Sequence, residues 1–327
     1  MAASARILRG TPPTLARLAR RLRAGELVAV PTETVYGLAA NALDARACRK
    51  IFTAKGRPAD DPLIVHIHAL AQLSEVAEAN AAALMLAKNF WPGPLTLVLP
   101  KKSTVPAVVS AGLPSVAVRM PSHPLFRRLL KLAGVPLAAP SANPFGYVSP
   151  TSAEHVRAGL GKKIRYILDG GPCTIGLEST IVDLRDPRHP RLLRPGAVTR
   201  AQLERTLGIR VLAAPKKAKA GAQLAPGLLA RHYSPRTPVT LHAKLSPKLA
   251  ARRPANEAWI FLAKPRGLTG KNIYWLDAHG ELSGIARRLF ATLRRVDALH
   301  FSRIHVELAR GDGLAPAIND RLRRAAA

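Results

Sequence analysis

Short apolar runs alternate with amphipathic helical stretches along most of this chain, and that alternation limits the fold more than any other feature. The runs are LVAVP (27–31), LIVHI (63–67), LTLVLP (95–100), VAVRM (116–120), PLAAP (136–140), RYILDG (165–170) and STIVDL (179–184). Each has strand length. Between and after them, apolar residues recur at helical spacing near 13–24, 44–54, 78–89, 124–133, 152–159 and 200–207. Strands interleaved with helices predict an α/β layer fold, with a strand order that the pattern leaves open. Thr11 followed by Pro12 suits the opening of the first helix, although the basic, alanine-rich start also has the composition of a transit peptide. Thr151 with Glu154, and Thr199 with Gln202, have the spacing of capping boxes.

The texture changes in VLAAPKKAKAGAQLAPGLLARHYSPRTP (211–238), where Ala, Pro, Gly and Lys mix with little periodicity. Such a stretch reads as a linker. A smaller α/β pattern follows, with strands expected at 239–243, 257–263, 272–278 and 303–309. A helix is expected through 283–296, with Ile285, Leu289 and Leu293 on one stripe. The chain therefore divides into a larger domain (1–208), a linker (209–237) and a smaller α/β, Rossmann-like domain (238–327).

With 327 residues and 48% hydrophobic content, two sizeable cores are affordable. No apolar run is long enough to span a membrane. Cys48 and Cys173 stand alone, outside any CxxC, which fits a reduced cytoplasmic protein. The net charge of +30 favours polyanions and steers phosphate ligands. Because the basic excess is mostly arginine in an alanine-rich chain, base composition of the genome explains it as well as nucleic-acid binding does.

The sequence holds no GxxxxGK[ST], GxGxxG, HExxH or GxSxG. Its suggestive segments share another form: an apolar strand running into hydroxyl, basic and proline residues. Ligands in open α/β sheets sit beyond strand ends. PTETVYGL follows LVAV, RMPSHP follows VAV, and PSANPFGYVSPTS follows PLAA. KGRPADDPL precedes the strand carrying His66, GLESTIVDL sets Ser179 at a strand entrance, and LLRPGAV presents Arg194. Each alone reads more readily as a helix cap or turn than as a site. His66 and His68 share a strand face but lack a third ligand for a metal. Together the segments suggest a cavity for a charged, polyfunctional ligand.

In this order, PTETVYGLAANALD, KGRPADDPLIVHI, FWPGPLTLVLP, VAVRMP, APSAN, SPTSAEHV, DGG, GLESTIVDL and LLRPGAV closely resemble the threonylcarbamoyl-AMP synthase family, whose catalytic unit is the YrdC-like domain. The match runs from residue 10 to about 208, and the remainder resembles the accessory C-terminal domain of the family's longer members. The resemblance implies an α/β twisted open sheet around a large positively charged cavity, and a reaction of L-threonine, bicarbonate or CO2, and ATP, accompanied by Mg2+. Its products would be threonylcarbamoyl-AMP and pyrophosphate, with the adenylate consumed by a separate transferase complex that modifies tRNA.

The resemblance also implies roles. Lys55 and Arg57 would offset charge between the carbamate and the triphosphate, without a covalent nucleophile. Thr34, His66, Arg119, Ala139 and Ser179 would hold threonine. Arg57, Asp61, Ser115, Ser141, Ser149, Arg194 and Tyr233 would hold ATP, Tyr233 from a linker that folds over the cavity as a lid. Thr32 and Glu33 are expected to shape their loop, Gly37 to let the backbone turn and Tyr36 to pack. Asp61 departs from the family's usual asparagine, and a carboxylate there needs Mg2+ or an arginine beside it. Two other readings fit a basic α/β chain: an RNA-binding module, and a carbamoyl-transfer enzyme of the hydrogenase-maturation type. The threonine-pocket residues favour the synthase over the first. The lack of acylphosphatase and zinc-finger modules disfavours the second.

Overall fold

The computed structural model describes residues 4–214, 223–227, 232–247, 250 and 255–327. Arg231 of the RHYSP motif and parts of the expected linker lie outside them. The described residues of the larger domain form one mixed sheet. Its strands are β1 (Arg6–Arg9), β2 (Val28–Val30), β3 (Gly37–Asn41), β4 (Ile64–His66), β5 (Leu95–Pro100), β6 (Ser115–Arg119), β7 (Leu137–Ala138), β8 (Tyr166–Asp169), β9 (Thr180–Asp183), β10 (Arg191–Arg194) and β11 (Leu212–Ala213). The spatial order is β1-β8-β2-β3-β7-β4-β6-β5-β9-β10-β11. Helices α1 (Pro12–Arg23), α2 (Ala45–Lys55), α3 (Leu73–Val76), α4 (Ala81–Phe90), α5 (Pro124–Ala133), α6 (Ala153–Leu160) and α7 (Arg200–Leu207) surround it.

The smaller domain carries β12 (Val239–His242), β13 (Glu257–Ala263), β14 (Ile273–Asp277), α8 (Leu282–Asp297), β15 (Arg303–Glu307) and α9 (Ala315–Ala326). Its strands pair in parallel in the order β12-β15-β13-β14. The structure thus has the expected mixed α/β sheet domain followed by a smaller α/β domain.

The larger sheet is covered unequally, and this positions the site. One face is packed by α2 and α4, through Ile51 and Leu86 among others. The opposite face is covered by α1 and α5 over β8, β2, β3 and β7. Leu15, Leu18 and Leu22 of α1 are fully buried there, each contributing about 1.5–3 kcal/mol. That cover ends where Phe126 of α5 meets His66, ring centroids 5.4 Å apart. Beyond it the same face continues over β4, β6, β5 and β9, where Ile64, Ala117, Val98 and Ile181 pack against Leu224 and Ala225. A helical layer is replaced by an irregular segment, and a cavity lies beneath it.

Several elements differ from expectation. β1, β3, β10, β11 and α9 were not anticipated; their apolar residues are too few, or too mixed with arginine and alanine, to show a period. Gly37 is not a turn residue but the first residue of β3, paired antiparallel with Val30. A side chain there would meet the Cβ of Ala139 at 3.2 Å, so glycine permits close strand approach. Thr151 does not cap α6. Ser152 does, its Oγ accepting from His155 N at 3.3 Å, while Glu154 sits in the first turn, where the helix dipole favours it. Thr199 and Gln202 form the expected capping box on α7. The sheet runs past residue 208 through β11, inside the stretch expected to link the domains.

Candidate active site

The β2–β3 connection is a tight polar loop that builds one wall. Thr32 Oγ1 donates to Val35 O at 2.7 Å and accepts from the backbone N–H of Thr34 and Val35, at 3.0 and 3.1 Å. This is a local hydroxyl-to-backbone turn, so Thr32 shapes the loop. Tyr36 does more than pack. Its hydroxyl donates to Gly171 O at 2.8 Å and accepts from Gly170 N at 3.1 Å. The loop thereby presents Glu33 and Thr34 toward the end of β6.

Arg119 ends β6 there, and its donors are spread over three partners. Nη1 donates to Thr34 Oγ1 at 2.9 Å, Nε to Gly93 O at 3.2 Å, and Nη2 lies 2.6 Å from Glu33 Oε1. Burial pushes the Glu33 carboxyl up, but Arg119 outweighs it and holds the group below its ordinary range. Glu33 was expected only to shape the loop; it is the buried counter-ion of Arg119. Its signal in the sequence was a carboxylate between two threonines at a strand end, which by itself names no partner.

β9 runs antiparallel to β6, so its entrance lies at the same end of the sheet. Ser179 Oγ is 2.7 Å from Thr96 Oγ1 and accepts from Arg194 Nη2 at 3.2 Å. Arg194 Nε donates to Ser179 O at 3.1 Å, and Nη1 reaches Tyr233 Oη at 3.5 Å. His66, buried beside Arg119, is pushed down to about 3 by burial and by that guanidinium, so it is neutral at ordinary pH.

On the other side, Lys55 is buried at the end of α2 and donates to the carbonyls of Ser141 and Asn143 at 2.6 and 2.5 Å. Burial, then the neighbouring Arg57, lowers its pKa well below the usual lysine range. Arg57 donates to Asp61 O and Pro62 O at 2.9 and 2.7 Å, and pairs with Asp61 Oδ1 at 2.9 Å. The compensating arginine that Asp61 requires is therefore present. Burial still pushes the Asp61 carboxyl up, against the pull of Arg57 and Lys55.

One pocket brings together Thr34, Arg57, His66, Arg119, Ala139, Ser141, Ser179, Arg194 and Tyr233, with Glu178, Gly227 and His232 also lining it. Lys55 and Asp61 stand behind Arg57 rather than on the pocket wall. Ser149 donates to Glu178 Oε1 at 2.5 Å and so supports the wall. Ser115 begins β6, at the opposite end of that strand from Arg119, where its buried Oγ has no hydrogen-bond partner. His68 lies outside the pocket, and among the described residues no group of three or more His, Cys, Asp or Glu could hold a metal. The free space is about 40 Å3, whereas small-molecule pockets run to ~300–1,000 Å3. Tyr233, buried and at a positive φ of 61°, together with Pro226, Gly227 and His232, closes the pocket.

A family model described as "Telomere recombination", covering Sua5, YciO and YrdC proteins, matches residues 20–196. A second, described as the threonylcarbamoyl-AMP synthase C-terminal domain, matches residues 198–327. The chain is 45% identical to the threonylcarbamoyl-AMP synthase of Pyrococcus abyssi over 93% of this chain and 91% of that one. It is 47% identical to the Bacillus subtilis protein of the same name, over 70% and 66%. The crystal structure of P. abyssi Sua5 complexed with L-threonine superposes with a TM-score of 0.88 at 42% identity, covering 95% of this chain and 94% of that one. Fold and family models together define a class of α/β enzymes built on a YrdC-like sheet with buried arginines lining its pocket. Within that class, the chain belongs to the Sua5 family of threonylcarbamoyl-AMP synthases, in its long, two-domain form.

Proposed function

We infer that this chain is an L-threonylcarbamoyladenylate synthase. It combines L-threonine, bicarbonate or CO2, and ATP into threonylcarbamoyl-AMP and pyrophosphate, for threonylcarbamoyladenosine modification of tRNA. The observation that carries the reading is the joining of Thr34, His66, Arg119 and Ser179 to Arg57 and Arg194 in one enclosed pocket. The first set suits an amino acid; the second suits phosphates.

The chemistry then needs positioning and charge offset. The threonine amine adds to CO2 and loses a proton, giving a carbamate. A carbamate oxygen attacks the α-phosphorus of ATP, the bond to the bridging oxygen breaks, and pyrophosphate leaves. Arg119, with Ser179, receives the threonine carboxylate. Arg57 and Arg194 offset the repulsion between carbamate and triphosphate, which low dielectric would otherwise magnify. Lys55 fixes the Ser141–Asn143 backbone that faces them. Mg2+ accompanying the nucleotide would add further charge offset at the phosphates, and no side chain is assigned to hold it. Because the closed pocket has little free space, the segment bearing Tyr233 swings out to admit ATP and then seals the acyl-phosphate product from water.

We place the protein in the cytoplasm, in keeping with two free, buried cysteines and with no described helix long and apolar enough to cross a membrane. The adenylate passes to a threonylcarbamoyl transferase complex, and the +30 charge favours contact with tRNA. The test is pyrophosphate release from ATP with and without L-threonine and bicarbonate. Release that requires both is expected; release indifferent to either would sink the assignment.

A further inference from the structure

The smaller domain reaches the pocket through α9. Arg321 is wholly buried, and its Nε donates to Glu178 Oε2 at 2.7 Å. Glu178 lines the pocket, and its other oxygen, Oε1, accepts from Ser149 Oγ at 2.5 Å. The same guanidinium lies 5.4 Å from the centre of the Tyr233 ring. Phe290 of α8 stands 5.6 Å from that ring as well. One turn on, Arg324 O accepts from His232 N at 3.2 Å and from Ser234 Oγ at 3.1 Å. A single helix face therefore grips both the pocket wall and the segment that closes it. Val35 and Leu177, from the loops that build the pocket, pack into the smaller domain's own core.

Glu178 poses an electrostatic problem that this contact solves. It is a buried carboxylate on the wall of a pocket that receives a triphosphate. Unpaired, it would repel the ligand, and in a low-dielectric site that repulsion is large. Arg321 approaches from outside the pocket, so it offsets the charge without occupying ligand space. Arg194 of the pocket also feels the Glu178 charge, but its hydrogen bonds go to Ser179, Pro226 and Tyr233.

We propose that Arg321 is a positioning residue for nucleotide binding: it neutralises Glu178 from behind, holds Ser149 through it, and supports the ring of Tyr233. The smaller domain thus completes the ATP subsite of the larger one. The proposal rests on the reading of the pocket as the site for ATP and threonine.

Three variants of the full chain test it by calorimetric binding of MgATP and of L-threonine. Arg321→Met is expected to weaken MgATP binding about tenfold or more, because it leaves the buried Glu178 carboxylate without its arginine, whereas Asp320, also 2.7 Å from Arg321 Nη1, keeps Arg324 at 3.1 Å. L-threonine affinity should stay within about threefold, since Arg119, Thr34 and His66 are untouched. Adding Glu178→Gln to Arg321→Met removes both charges and should return MgATP affinity to within about threefold of wild type. Arg321→Lys keeps the charge but loses the fork and should fall between. A purely structural role would lower both affinities together, with no recovery in the double variant, and that pattern overturns the proposal. So does unchanged MgATP affinity in Arg321→Met. If Arg321→Met fails to fold by circular dichroism, the double variant and Arg321→Lys carry the same comparison. Wild-type protein that binds both ligands yet releases no pyrophosphate would end the synthase reading and leave this one standing. Wild-type protein that binds neither ligand would end both.

Discussion

At the scale of single residues, the site is a set of buried arginines already engaged by protein carbonyls, hydroxyls and carboxylates. Arg119 is held by Thr34, Gly93 and Glu33, and Arg57 by Asp61 and Pro62. Thr34→Ala removes the hydroxyl that accepts from Arg119 and leaves a buried N–H unpaired, a loss on the order of 1–3 kcal/mol. We expect L-threonine affinity, measured by calorimetry, to fall about tenfold or more, with MgATP affinity largely kept. Asp61→Asn removes the carboxylate that competes with phosphate for Arg57. It should hold or raise ATP affinity in the same assay, and a large loss would show that the carboxylate has a role of its own. Most of these side chains were legible in the sequence as types. Their pairings were not, because Glu33 and Arg119 are distant along the chain and meet only through strand order.

At the scale of elements, the decisive objects are two short described stretches, 223–227 and 232–234. Leu224 and Ala225 of the first take the place of a helical layer over β4, β6, β5 and β9, and the second carries Tyr233, which lines the pocket with Pro226 and Gly227. Tyr233 adopts a positive φ, a conformation that costs a non-glycine residue about 1–3 kcal/mol and persists only where neighbours enforce it. His232, Phe290 and Arg321 are those neighbours. Tyr233→Ala should weaken ATP binding and shorten the lifetime of threonylcarbamoyl-AMP on the enzyme, followed by product hydrolysis in single-turnover mixtures; unchanged binding and lifetime would remove Tyr233 from the closure. The helices of the larger domain were readable because their stripes are strong and their starts carry caps, as Thr199 with Gln202 shows. Strand β3 was hidden because its residues, GLAAN, are too small to display an alternating pattern.

At the scale of the whole molecule, burial of ionisable groups ties stability to pH. His66 is held down to about 3 and His155 to about 4, and His232 lies well below its ordinary value, burial being the first cause in each. In the unfolded chain these rings bind protons near pH 6.5. Below that pH the unfolded state holds protons that the native state refuses, so stability falls as pH falls. Each such histidine contributes a slope of up to about 1.4 kcal/mol per pH unit. Urea unfolding at pH 7.5 and pH 5.5 should show a marked loss at the lower value. A His66→Gln variant should show a shallower dependence, and an identical slope would remove His66 from that account.

The sequence by itself determined the α/β class, the division into a large and a small domain, and the family. Those depend on local periodicity and on ordered motifs, which survive in one dimension. Only the tertiary structure decided which groups share the pocket, that Glu33 serves Arg119, and that the last helix reaches Glu178 and Tyr233. Those are contacts between residues far apart in the chain, set by strand order and by the packing of one domain on the other. Buried charges tolerate no loose arrangement, so the three-dimensional fold alone assigns each one its partner.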